Sequence, residues 1–356
     1  MKTEERNYYI DFLRFVFSVI IVFYHSWIFA SSWGECYFNR GFYAVDFYFI
    51  VTGFLLLSSL EKMWQKKQTD SLEVLNLKFI ARKIKPLVPN ILLVFVIGYF
   101  LNYRRSSFLL TNLFSDKTVT EALFAGVLGK GMAINSACWY ISVMIVVLFF
   151  LFPVVYRYQK KYNYYLCPLI IFLTLGVVNY HQININNPLA TTYLFANGFY
   201  KGVLFINLGI LSYELCSYLK KLELSKQKRI LITVFETLTY IALALNTYYA
   251  LFGSYLTAIL FMINISITFS NLSYSARFFR SPRFKQLGKF GFILYLSNIP
   301  VRNVVISANL SSYNRRLVLY WILVLGLSLV SYLLSELITK KWYKKKKMTP
   351  KMASSK

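Results

Sequence analysis

The stretch "IDFLRFVFSVIIVFYHSW", Ile10 to Trp27, is apolar over a length that suits a membrane crossing, yet it holds one arginine and one histidine. About 20 apolar residues span the hydrocarbon core of a bilayer. Charged groups at that depth are expensive and face a partner or a water-filled cavity. Arg14 and His25 are eleven residues apart. At about 100° per residue they are separated by three turns plus about 20°, so they share one helix face, roughly 16 Å apart along the axis. That face predicts two ends of a polar cleft.

The rest of the chain places this helix in a membrane. Of 356 residues, 57% are hydrophobic, 19% aromatic and 15% charged, with a mean hydropathy of +0.49. A soluble domain of this length does not hide so much apolar surface, so the composition predicts an all-α, polytopic membrane protein. Ten segments have the length and apolarity of a span: 8–30, 41–60, 86–103, 138–157, 164–180, 195–219, 229–249, 251–270, 287–309 and 317–339. "TVTEALFAGVLGKG" (118–131) is too interrupted to cross and reads as an interfacial or re-entrant helix. Pro86 and Pro89 suit the start of the third span.

Lys and Arg accumulate on the cytoplasmic side of membrane proteins. With ten spans, 30 of the 40 Lys+Arg fall on one side, 7 on the other and 3 (Arg14, Lys201, Arg302) within spans. Both termini are therefore expected in the cytoplasm. The net charge of +26 reads as topology plus attraction to anionic lipid, and nucleic-acid binding is set aside. The N-terminus runs into the first span with no small-residue cleavage site, so no cleaved leader is expected. Four scattered cysteines without a C-x-x-C pair suggest neither disulfides nor a metal site. Residues 1–340 read as one transmembrane domain, and 341–356 as a basic disordered cytoplasmic tail.

Other polar residues gather around the first helix. Arg14 has Asp11 one turn below, which also suits a plain surface-seeking ion pair, and His25 alone suits an ordinary interface histidine. Asp46, in "GFYAVDFYFIVTGFLLL", lies about 8 Å below the outer end of the second span, a depth similar to that of His25. A carboxylate there can fix the imidazole tautomer and raise its basicity. Arg82, Lys83 and Lys85, in "LKFIARKIKPLVPN", stand at the cytoplasmic mouth of the third span. Such a cluster can bind lipid head groups or grip the phosphates of a nucleotide-like donor.

Four stretches in order resemble the membrane acyltransferase 3 family of bacterial O-acyltransferases. They are "RNYYIDFLRFVFSVIIVFYH" with its Arg-x10-His signature, "AVDFYFIVTGFLL" with Asp46, Thr52 and Gly53, "ARKIKPLVP", and "CWYISVMIVVLFFLFPVVY" with Trp139 and Tyr140. The resemblance implies a multi-pass enzyme of the bacterial inner membrane that moves an acyl group, most often acetyl, from cytosolic acyl-CoA to a hydroxyl of an extracytoplasmic polysaccharide or lipid-linked sugar. It also implies that His25 is central to transfer and that arginines handle the donor, with no permanently bound cofactor. Two positions depart from the family pattern. Asn298, in "YLSNIPV", stands where a histidine is usual, and Met144 stands near a usual glutamate.

The expected site follows. Arg14, Arg82, Lys83 and Lys85 would hold acyl-CoA, His25 would act as general base or acyl carrier, and Asp46 would orient it. Trp139, Tyr140, Lys201, Tyr295, Asn298 and Arg302 are weaker candidates for the acceptor vestibule, and His181 is not assigned. The rival reading is a flippase or transporter of a glycan intermediate, although no inverted repeat is visible.

Overall fold

The computed structural model describes residues 6–32, 35–66, 70–103, 109–125, 132, 134–192, 195–308 and 310–348. Helices cover every segment expected to span. They are α1 (Tyr8–His25), α2 (Tyr43–Gln65), α3 (Leu72–Ile84), α4 (Val88–Tyr103), α5 (Leu109–Leu113), α6 (Asp116–Ala122) and α7 (Trp139–Lys161). Then come α8 (Cys167–Tyr180), α9 (Asn197–Leu219), α10 (Lys226–Tyr249), α11 (Ser254–Ser270), α12 (Ser275–Phe278), α13 (Arg283–Ser307) and α14 (Tyr313–Met348). A two-residue antiparallel pair, Thr191–Thr192 with Phe195–Ala196, precedes α9.

Seven helical stretches are long and apolar enough to cross a membrane, or eight when the bent pair α3–α4 is one span. Ten were expected from the sequence. One part of the difference is α11, at 17 residues. The other is the stretch Ser136–Tyr180, a nearly continuous run of 45 residues. At 1.5 Å per residue a straight run would reach about 68 Å, twice the bilayer core. Its two ends meet instead. A Cβ on Gly198 would lie 2.7 Å from the Trp139 ring and 3.1 Å from Pro188, and Asn197 Nδ2 donates to Asn184 O, just past α8. The chain therefore reverses at the non-helical Tyr158 and the π turn Tyr162–Leu166, and α7 and α8 form a hairpin.

Two other expectations change. The segment 61–85, expected as a loop, contains α3, which meets α4 at 56°. Pro86 and Pro89 explain the bend, since proline interrupts the helical hydrogen-bond ladder but suits the first turn of the next helix. The tail expected to be disordered from 341 onward is helical to Met348, and 349–356 lie outside the described residues. Of the expected re-entrant segment 118–131, α6 holds the start, and 126–131 lie outside the described residues.

Close backbone approach organises the bundle. A Cβ on Gly53 of α2 would lie 1.9 Å from Ile206 O of α9, and one on Gly209 would lie 2.1 Å from Ile50 O. With Phe42 against Lys201 and Ile50 against Gly209, α2 and α9 run parallel. Parallel packing also relates α1 to α13, where Gly288 meets Asp11 and Gly291 meets Phe15. Small residues at such crossings allow the van der Waals contact that replaces the hydrophobic drive in lipid. Gly53→Ala is expected to lower the thermal midpoint of the detergent-purified protein, an overpacking cost of about 1–3 kcal/mol or more. Gly176→Ala, with nothing within 4 Å of its added Cβ, is the matched control and should leave the midpoint unchanged.

Candidate functional site

The site begins with α1. Asn7 caps it, its side chain accepting from Tyr9 N and Ile10 N, and the acidic first turn suits the positive end of the helix dipole. That turn carries Asp11, buried and shared between two cations. Arg6 Nε lies 2.6 Å and Arg14 Nη1 3.2 Å from its carboxylate. The Arg14–Asp11 pair is thus present, and it does not exhaust Arg14. The same guanidinium lines a cavity of about 210 Å³ together with Arg6, Lys62, Lys220, Tyr213 and Ser58.

A second cavity, of about 390 Å³, is lined by Ser59, Lys62, Met63, Lys66, Arg82 and Lys83. Lys62 borders both, so the two cavities adjoin, and both are lined by cations. Arg82 and Lys83 reach it because α3 docks on α7, with Asn76 Nδ2 donating to Phe149 O and Phe79 stacked on Phe152. Lys83 also sits over the Phe79 ring. Lys85 lies at the α3 C-cap and lines neither cavity. The sequence reading missed Arg6, Lys62, Lys66 and Lys220. Their signal was weak because each looks like an ordinary cytoplasmic end charge.

Above Arg14 on the same face is Ser18, buried, about 6 Å further along the axis. Tyr48 OH donates to Arg14 O at 2.5 Å, which makes Ser18 Oγ the donor in its 2.7 Å bond to Tyr48. Thr52 Oγ1 donates to Tyr48 O, and Tyr140 OH lies 3.0 Å from Thr52 Oγ1. Tyr140 also meets the ring of Tyr295, whose hydroxyl donates to Ala137 O. These groups form a hydroxyl belt that meets α1 at Arg14 O and at Ser18, on the His25 side of Arg14. The sequence predicted an open cleft joining the two. The structure instead places this belt beside Arg14 and Ser18, and neither of the two cavities extends to His25.

His25 ends α1, and its Nδ1 is buried with no hydrogen-bond partner. On α13, Asn298 is fully buried and donates to Tyr295 O, while its Oδ1 has no partner. Arg302 Nε, one turn further, is likewise buried and unpartnered. Tyr140, Tyr295, Asn298 and Arg302 therefore belong to the same core as Arg14 and His25.

Asp46 does not. Its Oδ1 lies 2.7 Å from Lys201 Nζ, both side chains being buried, and no hydrogen bond joins it to His25 among the described residues. Lys201 also donates to Phe42 O and Asn186 Oδ1, tying the segment after α8 to α9. The expectation that Asp46 orients the His25 ring is corrected by helix geometry. Tyr48 faces α1, and Asp46, two residues earlier, is turned about 200° away from it. Trp139 packs against Gly198 and near Phe49, also away from His25. His181 is in the turn following α8.

Another buried carboxylate holds the re-entry of the chain into α7. Glu121 accepts from Ile134 N and Asn135 N at 2.8 and 2.7 Å, and Asn135 Nδ2 donates to Leu296 O. This arrangement braces α13 beside Tyr295. Among the described residues no group of three or more His, Cys, Asp or Glu could hold a metal.

The parts allow a definite chemistry. A basic mouth suits phosphates, and an imidazole, with its Nδ1 buried and unpartnered, stands at the other end of the same helix face, a group that can take a proton. Over residues 7–339 the chain matches a family model described as an acyltransferase domain. No curated protein and no solved structure matches it.

Proposed function

The chain belongs to the acyltransferase 3 family, and from that premise we propose that it carries an acyl group, acetyl foremost, from cytosolic acyl-CoA to a hydroxyl of an extracytoplasmic polysaccharide or lipid-linked sugar. The placement proposed is the bacterial inner membrane, with both termini inside. The observation that supports this most is one helix face with Arg14 in a multiply basic cavity at one end and an unpartnered His25 at the other.

In this reading the donor's phosphates sit among Arg14, Arg82, Lys83 and the neighbouring Arg6, Lys62 and Lys220. Its pantetheine arm runs up the α1 face, a span of roughly 16 Å from Arg14 to His25. The Tyr48–Tyr140 belt parts to admit it and lines its path with hydroxyls. At the outer end His25 takes the acceptor's hydroxyl proton as the oxygen attacks the thioester carbonyl. The carbon–sulfur bond then breaks, and the CoA thiolate leaves and takes up the proton. Passage of the acyl group through His25 itself is the covalent variant.

The test is glycan composition by mass spectrometry in a deletion strain and its parent, joined to transfer of labelled acetyl from acetyl-CoA by the protein in liposomes. Loss of acyl ester in the deletion strain and acetyl transfer in vitro support the proposal. Movement of glycan without acylation supports a transporter and ends it. Arg14→Ala is expected to raise the KM for acetyl-CoA about tenfold or more, the value of one charge-assisted hydrogen bond, with a smaller change in kcat. An unchanged KM would remove Arg14 from the donor site.

A further inference from the structure

Among the described residues Arg302 has no anion beside it. Its Nε is buried and unpartnered, and it makes no hydrogen bond or ion pair among the described residues. A guanidinium at membrane depth is costly, and such groups pair with something or mark a ligand path. Its position says where that ligand comes.

Helices α1 and α13 are parallel, and a Cβ on Gly288 would lie 2.9 Å from Asp11 O. His25 and Arg302 each follow that contact by fourteen residues, so both rise about 21 Å from it and return to within about 40° of the same face. The two residues thus stand level across one interface. Asn298 Oδ1, one turn below, and Trp321 Nε1 on α14 are also buried without partners. The Trp321 ring packs on Phe23. Three polar atoms without partners among the described residues, His25 Nδ1, Asn298 Oδ1 and Arg302 Nε, therefore gather where α1 and α13 meet near the end of α1.

Two further observations describe the partner. Trp27 and Tyr37, beside this end, are 37% and 40% exposed, and flat aromatic faces with a polar edge suit a ring that is apolar on one side and wet on the other. The segments that the Lys and Arg distribution assigns to the outside carry seven Lys+Arg against three Asp+Glu, a balance that draws in anions.

We propose that Arg302 receives the anionic group of an acidic saccharide, a sugar carboxylate or a phosphate ester, and holds that saccharide's hydroxyl against His25. This rests on the reading of His25 as the site of acyl transfer to a sugar. The guanidinium fork matches either oxyanion through two parallel N–H bonds, and Asn298 Oδ1 accepts a neighbouring hydroxyl.

The test uses the full chain in lipid nanodiscs and three fluorescent probes: an oligogalacturonate, an oligo(glycerol phosphate) and maltotetraose. One acidic probe is expected to bind about tenfold or more tightly than the neutral one, the scale of one charge-assisted hydrogen bond, and which acid wins separates carboxylate from phosphate. Arg302→Met should erase that preference, and Arg302→Lys should keep part of it. Because the native Nε is buried without a partner among the described residues, Arg302→Met should also leave the thermal midpoint level or raise it. Equal binding of all three probes, or a preference that survives in Arg302→Met, overturns the proposal. So does a lowered midpoint with loss of neutral-probe binding, which would make Arg302 a packing residue. Acid-selective binding without acyl transfer to the bound probe supports the anion site and ends the transferase reading instead.

Discussion

Replacing His25 by Ala is expected to lower acyl transfer about 10²–10⁴-fold, the usual worth of a positioned general base, while the protein still folds and inserts. The stability half of this expectation comes from the structure. His25 makes no side-chain hydrogen bond among the described residues, and its Nδ1 is buried without a partner. Its ring touches Tyr24 at a centroid distance of 5.2 Å and sits at the last residue of α1, where a helix is least dependent on one side chain. Removing a buried polar atom that has no partner takes away a penalty rather than a bond. Labelled acetyl transfer in liposomes and the thermal midpoint in detergent, measured on one preparation, check both halves. A variant that transfers at the native rate would end the assignment of His25. A variant that fails to fold would show that packing around the ring holds this end of α1 in place, and would overturn the stability half.

The largest stability effect is expected at the pair on α2 and α9. Lys201→Met leaves Asp46 buried, 1% exposed, with no cation beside it. Removing one partner of a buried pair typically costs about 3–5 kcal/mol, because the remaining charge stays desolvated. Asp46→Leu alone strands Lys201 in the same way. The double variant strands neither, and an apolar replacement of the whole pair is often close to neutral. The two single losses should therefore exceed the double loss, giving a coupling of about 0.5–3 kcal/mol or above in a double-mutant cycle. Additive losses would mean that Asp46 and Lys201 are stabilised by separate neighbours. Lys201 also holds Asn186, so its loss should loosen the segment between α8 and α9, visible as faster proteolysis there.

The two effects separate what looked like one pair in the sequence. His25 and Asp46 have matching depths on consecutive spans, which invited a base and its orienter. Depth follows from counting residues, but the direction of a side chain depends on which neighbour the helix turns towards it. Tyr48 bonds to Ser18 and to Arg14 O, so α2 shows Tyr48 to α1, and Asp46 points to α9. The sequence distance from Asp46 to Lys201 concealed their contact. Arg302 was only a weak candidate for a similar reason, since nothing local ties residue 302 to residue 25.

The sequence alone determined the helical, many-span character of the chain, the shared face of Arg14 and His25, and the family signature around them. These depend on apolar length and on the 3.6-residue period, which are properties of a single helix. Only the tertiary structure decided that α7 and α8 fold back as a hairpin, that Arg6, Lys62 and Lys220 join Arg14 in one cavity, that Tyr48 meets α1 at Arg14 O and Ser18, and that Arg302 stands level with His25. Each of these depends on the rotation and offset of one helix against another. Those are set by close-packed small residues such as Gly53, Gly209 and Gly288, and their partners lie far away in the chain.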